Sequence, residues 1–153
     1  MNRITRIGRL AAYDEDFALW SAEQAAFLRA GRLDALDREN LAEEIESLGR
    51  SERYEIESRL KVLLVHLLKW RFQPQARSNG WKGSILEQRV RIARRIRNSP
   101  SLRGYPAEIL ADEYSFAVPQ AVDETDLPED AFPAACPFTI EQILDPDFLP
   151  DAP

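Results

Sequence analysis

Residues 41–70 of the chain read LAEEIESLGRSERYEIESRLKVLLVHLLKW. One set of apolar residues recurs at helical spacing and stays within about a third of the helix circumference: Leu41, Ile45, Leu48, Ile56, Leu60, Leu63, Leu67 and Trp70. The stripe keeps the same phase on both sides of Gly49, so we predict one helix over residues 34–72 rather than two. A glycine inside a helix costs about 1 kcal/mol relative to alanine, which a long helix tolerates.

The second half of this helix is predicted to be central. Between Leu60 and Trp70 apolar residues cover most of the circumference, which is typical of a helix surrounded by others. Gln73 and Pro74 end it, because the residue before a proline avoids the helical region. Capping and breaker residues predict three further helices, over residues 14–30, 84–98 and 100–118.

Composition agrees with a helical fold, since 18 Leu and 19 Ala stand against 5 Val and 3 Thr. The spacing of Thr139 and Gln142 is that of a capping box and predicts a short helix to Leu144. We therefore predict an all-α, single-domain helical bundle over residues 1–153, built on a long central helix. An N-terminal arm (1–12) and an irregular, acidic, proline-rich tail (122–153) carrying the short helix would wrap the body.

Charge is divided unevenly along the chain. The net charge is −6, but residues 1–10 carry +3, residues 11–49 carry −7, residues 50–103 carry +10 and residues 104–153 carry −12. The acidic ends folding against the basic middle is the simpler explanation, and a nucleic-acid-binding face is the alternative. We favour the first, because the last 50 residues contain no Lys or Arg at all.

Several functional classes are disfavoured by residue counts. A single Cys, Cys136, excludes an intramolecular disulfide, and one Cys with one His cannot form a zinc site of the Cys/His type. We expect no metal and no cofactor. No apolar run approaches the roughly 20 residues of a membrane span, and no signal peptide is recognised, so we expect a cytoplasmic protein without membrane contact.

Ionisable residues occupy the apolar stripes. Glu52, Arg59 and His66 fall on the core-facing side of the long helix at seven-residue intervals. Arg89 is central to an apolar arc of the third helix that includes Leu86, Val90 and Ala93. A buried charge is costly unless paired, so we predict that Arg89 meets a carboxylate, with Glu52 the first candidate and Glu44 the next.

Two interpretations of this polar cluster stay open. The cluster could form an anion or small-molecule pocket edged by Trp70 and Trp81, with His66 exchanging protons near neutral pH. It could instead be a buried polar layer that fixes helix register and has no chemistry, which we favour. A lone histidine in an apolar helix is more often structural than catalytic.

The third helix carries the strongest binding signal. Over residues 82–97 its cations stand against a single acid, Glu87. A nucleic-acid-binding face on this helix would consist of Lys82, Arg91, Arg94, Arg95 and Arg97. Because Arg outnumbers Lys 17 to 3 over the whole chain, the local enrichment can also reflect composition alone.

Motifs with a familiar order are spread along the chain: Tyr13-Asp14-x-Asp16-Phe17-x-x-Trp20, NLAEEIESLG at 40–49, HLLKW at 66–70, Gln73-Pro74, Gln88-Arg89, Ser99-Pro100-Ser101-Leu102 and PFTIEQILD at 137–145. With these motifs the chain resembles the bacterial domain-of-unknown-function family numbered 29. The resemblance implies an all-helical, bacterial, cytoplasmic protein. It implies no activity, ligand or catalytic residue.

Function therefore stays unknown from sequence, and three hypotheses are carried forward. The favoured hypothesis is a non-enzymatic protein-interaction module whose partner is another protein or a second copy, since no catalytic set is recognised. The first alternative is a nucleic-acid-binding protein that uses helix 82–97. The second is an enzyme or small-ligand binder that uses the Glu/Arg/His cluster.

Overall fold

The computed structural model describes residues 10–153, which form five α-helices without a β-strand. The predicted all-α fold with a long central helix is confirmed. Most of the predicted N-terminal arm lies outside the described residues. The helices are α1 (Phe17–Arg29), α2 (Arg38–Phe72), α3 (Asn79–Asn98), α4 (Tyr105–Thr125) and α5 (Ile140–Leu144), with single 3₁₀ turns at Leu33–Ala35, Pro74–Ala76, Pro100–Leu102 and Glu129–Ala131.

Helix α2 runs without a break through Gly49, as the phase of its apolar stripe predicts. The described chain nevertheless separates into two compact units, residues 10–49 and residues 50–153. The expectation that the whole stripe faces a core is wrong for its first part, because Ile45 is 65% and Leu48 70% exposed. Helical phase fixes the direction of a side chain, but it does not determine whether anything packs there.

The N-terminal unit is organised by helix caps. Helix α1 begins at Phe17 rather than at residue 14, because the Asp16 side chain accepts a hydrogen bond from Leu19 N at 2.9 Å. It ends before Gly31, whose φ of 69° lies in the left-handed region that glycine adopts without strain. Helix α2 begins at Arg38 rather than at residue 34 because Asp37 accepts a hydrogen bond from Asn40 N.

Trp20 is the main buried apolar side chain of this unit. The Tyr13 ring meets it edge to face with the centroids 4.8 Å apart. The indole Nε1 of Trp20 donates to Asp37 Oδ2 at 3.1 Å, and Asp37 N donates to Gln24 Oε1 at 2.8 Å. A hydrogen bond from the Asn40 side chain lowers the pKa of Asp37 against the effect of burial, aided by the bonds from Trp20 and from Asn40 N.

The core of the C-terminal unit is formed by the second half of α2 together with α3, α4 and the tail. Helix α3 begins at Asn79 rather than at residue 84, because Ser78 Oγ accepts a hydrogen bond from Trp81 N at 3.2 Å. The tail is folded onto this core through buried apolar side chains. The largest buried contributors are Ile56, Leu60, Leu63, Leu64, Leu67 and Leu68 from α2, Ile85 and Ile92 from α3, Tyr114 from α4, and Phe132, Phe138 and Ile143 from the tail.

Helix α4 continues past Pro119 to Thr125, so its predicted end at residue 118 is wrong. Proline removes one backbone hydrogen bond, which would leave the Ser115 carbonyl without its helical partner. Both residues are exposed, so water can satisfy this carbonyl. The predicted start at residue 100 is also wrong, since Pro100–Leu102 is a separate 3₁₀ turn.

The short tail helix α5 confirms the predicted capping box. Thr139 N donates to Gln142 Oε1 at 3.0 Å, and Gln142 N donates to Thr139 Oγ1 at 3.2 Å. Helix α5 buries Ile143 completely. The capping box therefore fixes the start of the segment that brings the tail against α3.

Candidate functional site

Arg89 lies on the buried side of α3 and is only 5% exposed. Its Nε donates to Ile143 O at 2.7 Å, and its two Nη atoms make longer bonds to Gln142 O at 3.4 Å and Pro146 O at 3.5 Å. The predicted ion pair between Arg89 and Glu52 is not formed. Arg89 instead holds the main chain of the tail.

The partner of Glu52 is Arg95, whose Nη1 lies 2.9 Å from Glu52 Oε1. Six residues of helix turn a side chain by about 120°, so Arg89 and Arg95 leave α3 on different sides. The side that carries Arg95 faces α2, whereas the side that carries Arg89 faces the tail. Residue type and helical phase did not show which of these two arginines would pair with Glu52.

Burial lowers the pKa of Arg89 below its ordinary value, and the nearby charges of Asp145 and Asp147 oppose this effect. Neither aspartate forms an ion pair with Arg89 among the residues that the structure describes. The guanidinium is therefore a buried cation that is stabilised by hydrogen bonds to carbonyl oxygens and by the more distant charges of the two aspartates.

The other members of the predicted polar cluster each have a separate partner. Arg59 Nε pairs with Glu55 at 2.9 Å and its Nη1 reaches Gln88 Oε1 at 3.5 Å. His66 Nδ1 lies 2.8 Å from Val62 O and donates a hydrogen bond to it, because a carbonyl oxygen can only accept. The structure thus does not bring Arg59 and His66 together with Arg89 around a common point.

Glu44, the second predicted partner of Arg89, belongs to the N-terminal unit. There its carboxylate accepts a hydrogen bond from the Tyr13 hydroxyl. This bond is the largest cause of the raised pKa of Tyr13. The Tyr13 contact gives Glu44 a structural role in this unit.

Trp70 and Trp81, the predicted pocket rim, each pack under a cation. The Arg77 guanidinium carbon lies 5.0 Å from the Trp70 ring centre, and Lys69 Nζ lies 4.5 Å from the Trp81 ring centre. Lys69 is buried and also lies 2.7 Å from Glu124 Oε2 on α4.

Sequence reasoning did not identify the pair of Lys69 and Glu124. The sequence does contain a signal of a buried ion pair, because a lysine within a helix segment that is apolar all round must be paired when it is buried. Burial alone would raise the pKa of Glu124, but hydrogen bonds from Lys69 and Gln120 and the charge of Lys69 lower it. No local pattern indicates a partner that lies 55 residues along the chain.

Two cavities flank Arg89, each of about 420 Å³. The first, which we call the arginine cavity, lies between α3, the 3₁₀ turn Pro100–Leu102 and α5. It is lined by Arg89, Ile92, Ala93, Ile96, Arg97, Pro100, Arg103 and Leu144. The second lies toward the start of α3 and is lined by Asn79, Lys82, Gly83, Ile85, Leu86, Arg89, Pro146, Asp147 and Leu149.

The side of α3 that faces away from the core of the C-terminal unit is exposed, although the sequence pattern places part of it in the core, and some of its residues also line the two cavities. Leu86 is 51% and Val90 58% exposed, and Ala93 is exposed as well. The buried arc of α3 is centred instead on residues 85, 88, 89 and 92. We call residues 82, 83, 86, 90, 93, 94 and 97 the α3 face, because they share one side of the helix.

The cations predicted to bind nucleic acid are divided by their partners. Arg95 pairs with Glu52, and Arg91 pairs with Glu87 at 2.8 Å. Within residues 10–153, Lys82, Arg94 and Arg97 have no carboxylate partner. The unpaired cations belong to the α3 face, where they surround exposed aliphatic side chains.

Comparison with known proteins assigns the chain to a family. The family model described as "Domain of unknown function DUF29" matches residues 12–149, which is nearly the whole chain. The chain belongs to the DUF29 family. This membership confirms the resemblance carried by the sequence motifs, and the family description names no activity. No curated protein and no solved structure matches the chain.

Three further observations describe this DUF29 chain. Over residues 10–153, no group of three or more His, Cys, Asp and Glu side chains is arranged to hold a metal ion. No helix in that range has the length and apolar character needed to cross a membrane. Cys136 is half-buried, and burial raises the pKa of its thiol against an opposing backbone hydrogen bond at Phe138.

Proposed function

We propose that this chain is a protein-interaction module that binds an acidic amphipathic helix of another protein on the α3 face. The observation that carries the proposal is the exposure of Leu86 and Val90 among three cations, Lys82, Arg94 and Arg97, that have no carboxylate partner in the described part of the chain. A single exposed aliphatic residue needs no explanation, but an apolar stripe bordered by charge is typical of an interaction surface.

The apolar part of the α3 face has the geometry of a helix-binding surface. Leu86, Val90 and Ala93 are spaced four and three residues apart and span about 10 Å of helix. A shallow groove of about 480 Å³ runs along Leu86 and Val90 and is bordered by the paired Glu87 and Arg91 and by Arg94. It includes Gly83, where no side chain obstructs a partner. An amphipathic helix binds such a groove with apolar residues at spacings of three and four.

Charge determines the kind of partner. Lys82, Arg94 and Arg97 favour a partner with Asp or Glu beside its apolar stripe. Two α3 faces placed against each other would bring these cations together, which disfavours a symmetric dimer through this surface.

Nucleic acid is a weaker candidate partner for the same surface. Leu86 and Val90 contribute nothing to phosphate binding, although they lie at its centre. Two of the five predicted nucleic-acid-binding residues, Arg91 and Arg95, already have carboxylate partners. These observations favour protein over nucleic acid.

The proposal includes a non-enzymatic role in the bacterial cytoplasm. The family resemblance supports a bacterial source. The single cysteine fits a reducing compartment, where structural disulfides are rare. The separate partners of Arg59, His66 and Arg89 support a structural rather than a catalytic role for the polar cluster.

Photo-crosslinking in cells tests the proposal. A photoreactive residue replaces Val90, and a matched one replaces Phe116 of α4, which is 60% exposed. We expect position 90, and not position 116, to crosslink to a defined protein segment that is acidic and amphipathic. With that partner purified, Leu86→Gln should weaken binding at least about tenfold in calorimetry, and Phe116→Gln should leave it unchanged.

Two results would overturn the proposal. Position 90 could yield no crosslink beyond the level at position 116. Alternatively, a labelled DNA or RNA could bind with a steep dependence on salt and keep its affinity in Leu86→Gln. The second result would assign the cations of the α3 face to phosphate.

A further inference from the structure

The arginine cavity combines three guanidinium groups with apolar walls. Arg89, Arg97 and Arg103 line it, and none of its lining residues carries a carboxylate. The remaining walls are formed mainly by Ile92, Ile96 and Leu144. Ligand pockets commonly have this composition, in which a few converging polar groups are set in an apolar surface.

Arg89 provides a buried cation at this cavity. Its three hydrogen bonds to the tail carbonyls use three of the five guanidinium N–H groups, which leaves two. A buried charge without an ion pair is costly, and an anion within reach would offset that cost. The tail carbonyls hold the guanidinium in place before any ligand arrives.

The two other arginines are exposed, and neither has a carboxylate partner in the part of the chain that the structure describes. Arg97 comes from the last turn of α3, and Arg103 follows the 3₁₀ turn Pro100–Leu102. Both are free to turn toward a bound anion. Arginine suits this role, because its planar fork matches carboxylate and phosphate oxygens.

The cavity on the other side of Arg89 provides a comparison. That cavity has the same volume, but Asp147 lines it together with Lys82 and Arg89. The protein therefore supplies its own negative charge on one side of Arg89. It supplies none among the residues lining the arginine cavity.

We propose that the arginine cavity binds a small organic anion, a carboxylate or phosphate ester with an aliphatic body. Its volume of about 420 Å³ lies in the range of small-molecule sites. The anionic group lies among Arg89, Arg97 and Arg103, and the aliphatic body lies against Ile92 and Leu144. This site shares Ala93 and Arg97 with the α3 face, but Leu86, Val90 and Arg94 do not line it, and its other walls come from the buried arc of α3, the 3₁₀ turn and α5.

Calorimetric titration with four eight-carbon probes tests the site. Octanoate and octyl phosphate are the anionic probes, and octanol and octylammonium are the neutral and cationic controls. We expect saturable binding of at least one anion with one site per chain. We expect no saturable binding of either control, because the three arginines select for negative charge.

Variants of exposed arginines locate the binding. Arg103→Gln should weaken anion binding at least about tenfold, and Arg97→Gln should weaken it in the same direction. Arg94→Gln is the matched control on the same helix, since Arg94 does not line the cavity. Circular dichroism checks that each variant keeps its helices.

Binding of either octanoate or octyl phosphate supports the site. The tighter of the two shows whether the cavity prefers a carboxylate or a phosphate group. The proposal is overturned if neither anion binds saturably, if octanol binds as tightly as octanoate, or if Arg103→Gln leaves binding intact. Leu86→Gln distinguishes this site from the proposed interaction surface, because it should leave anion binding unchanged.

Discussion

Replacing Arg89 with methionine removes the guanidinium but keeps an apolar stem of similar length. The bond from Nε to Ile143 O is short, at 2.7 Å, and a bond from a charged donor contributes about 1.5–3 kcal/mol. The bonds at 3.4 and 3.5 Å are at the long limit and add little. Relief of the desolvation cost of Arg89 offsets part of the loss. We expect a net destabilisation of about 2 kcal/mol.

Two measurements check this expectation. Urea unfolding followed by circular dichroism gives the change in free energy of unfolding, and thermal unfolding should show a decrease in Tm of about 4–8 °C for a chain of this size. Hydrogen exchange should also become faster at the amides of residues 142–147, because the substitution releases the tail.

Arg97→Met is the matched control, since Arg97 lies on the same helix, is exposed and makes no ion pair among residues 10–153. It should change stability by less than about 0.5 kcal/mol. The reasoning is refuted if Arg89→Met costs no more than this control. It is also refuted if stability falls while tail amides exchange at their original rate.

Three further substitutions are expected to have distinct signatures. Gly49→Ala should stabilise the chain by up to about 1 kcal/mol in urea unfolding, because an added Cβ meets nothing within 4 Å, and a loss of stability would contradict this. Burial, followed by the charge of Glu57, raises the pKa of Glu113 above 4.5, so its ionised form destabilises the fold. Glu113→Gln should therefore raise Tm at pH 7, with the gain disappearing below pH 4.5; a gain independent of pH would exclude this cause. The pKa of Glu124 is lowered below 4.5, so its stabilising effect is present above that pH and is lost as pH falls through the lowered pKa. Glu124→Gln should lower Tm at pH 7 but not in strong acid, and an equal Tm at pH 7 would rule out a stabilising pair with Lys69.

Local sequence patterns were sufficient to predict several elements of the fold. The continuity of α2 through Gly49 follows from helical phase, and the start of α5 follows from the capping box at Thr139. Both depend on residues that are neighbours along the chain. The start of α3 at Asn79 could also have been predicted from the sequence, because Ser78 is a good N-cap residue.

The contacts of the candidate sites depend on what packs beside each helix, and the sequence does not show this. The burial of Arg89 was predicted, but its partners are carbonyl oxygens, which every residue possesses. Leu86 and Val90 are residue types that are usually found in a core, yet no element of the C-terminal unit covers them fully. The partner of Lys69 depends on the relative placement of α2 and α4.

Arg89 binds the tail through three backbone carbonyl oxygens, those of Gln142, Ile143 and Pro146. These hydrogen bonds do not depend on which side chains the three residues carry. Even Pro146 offers an acceptor there, although it has no N–H. The bonds from Arg89 therefore place no demand on these side chains, although burial fixes Ile143 and the capping box fixes Gln142. An insertion or deletion next to α5 would move all three oxygens out of register. We therefore expect relatives to vary in the side chain at position 146 but to keep the number of residues between Gln142 and that position.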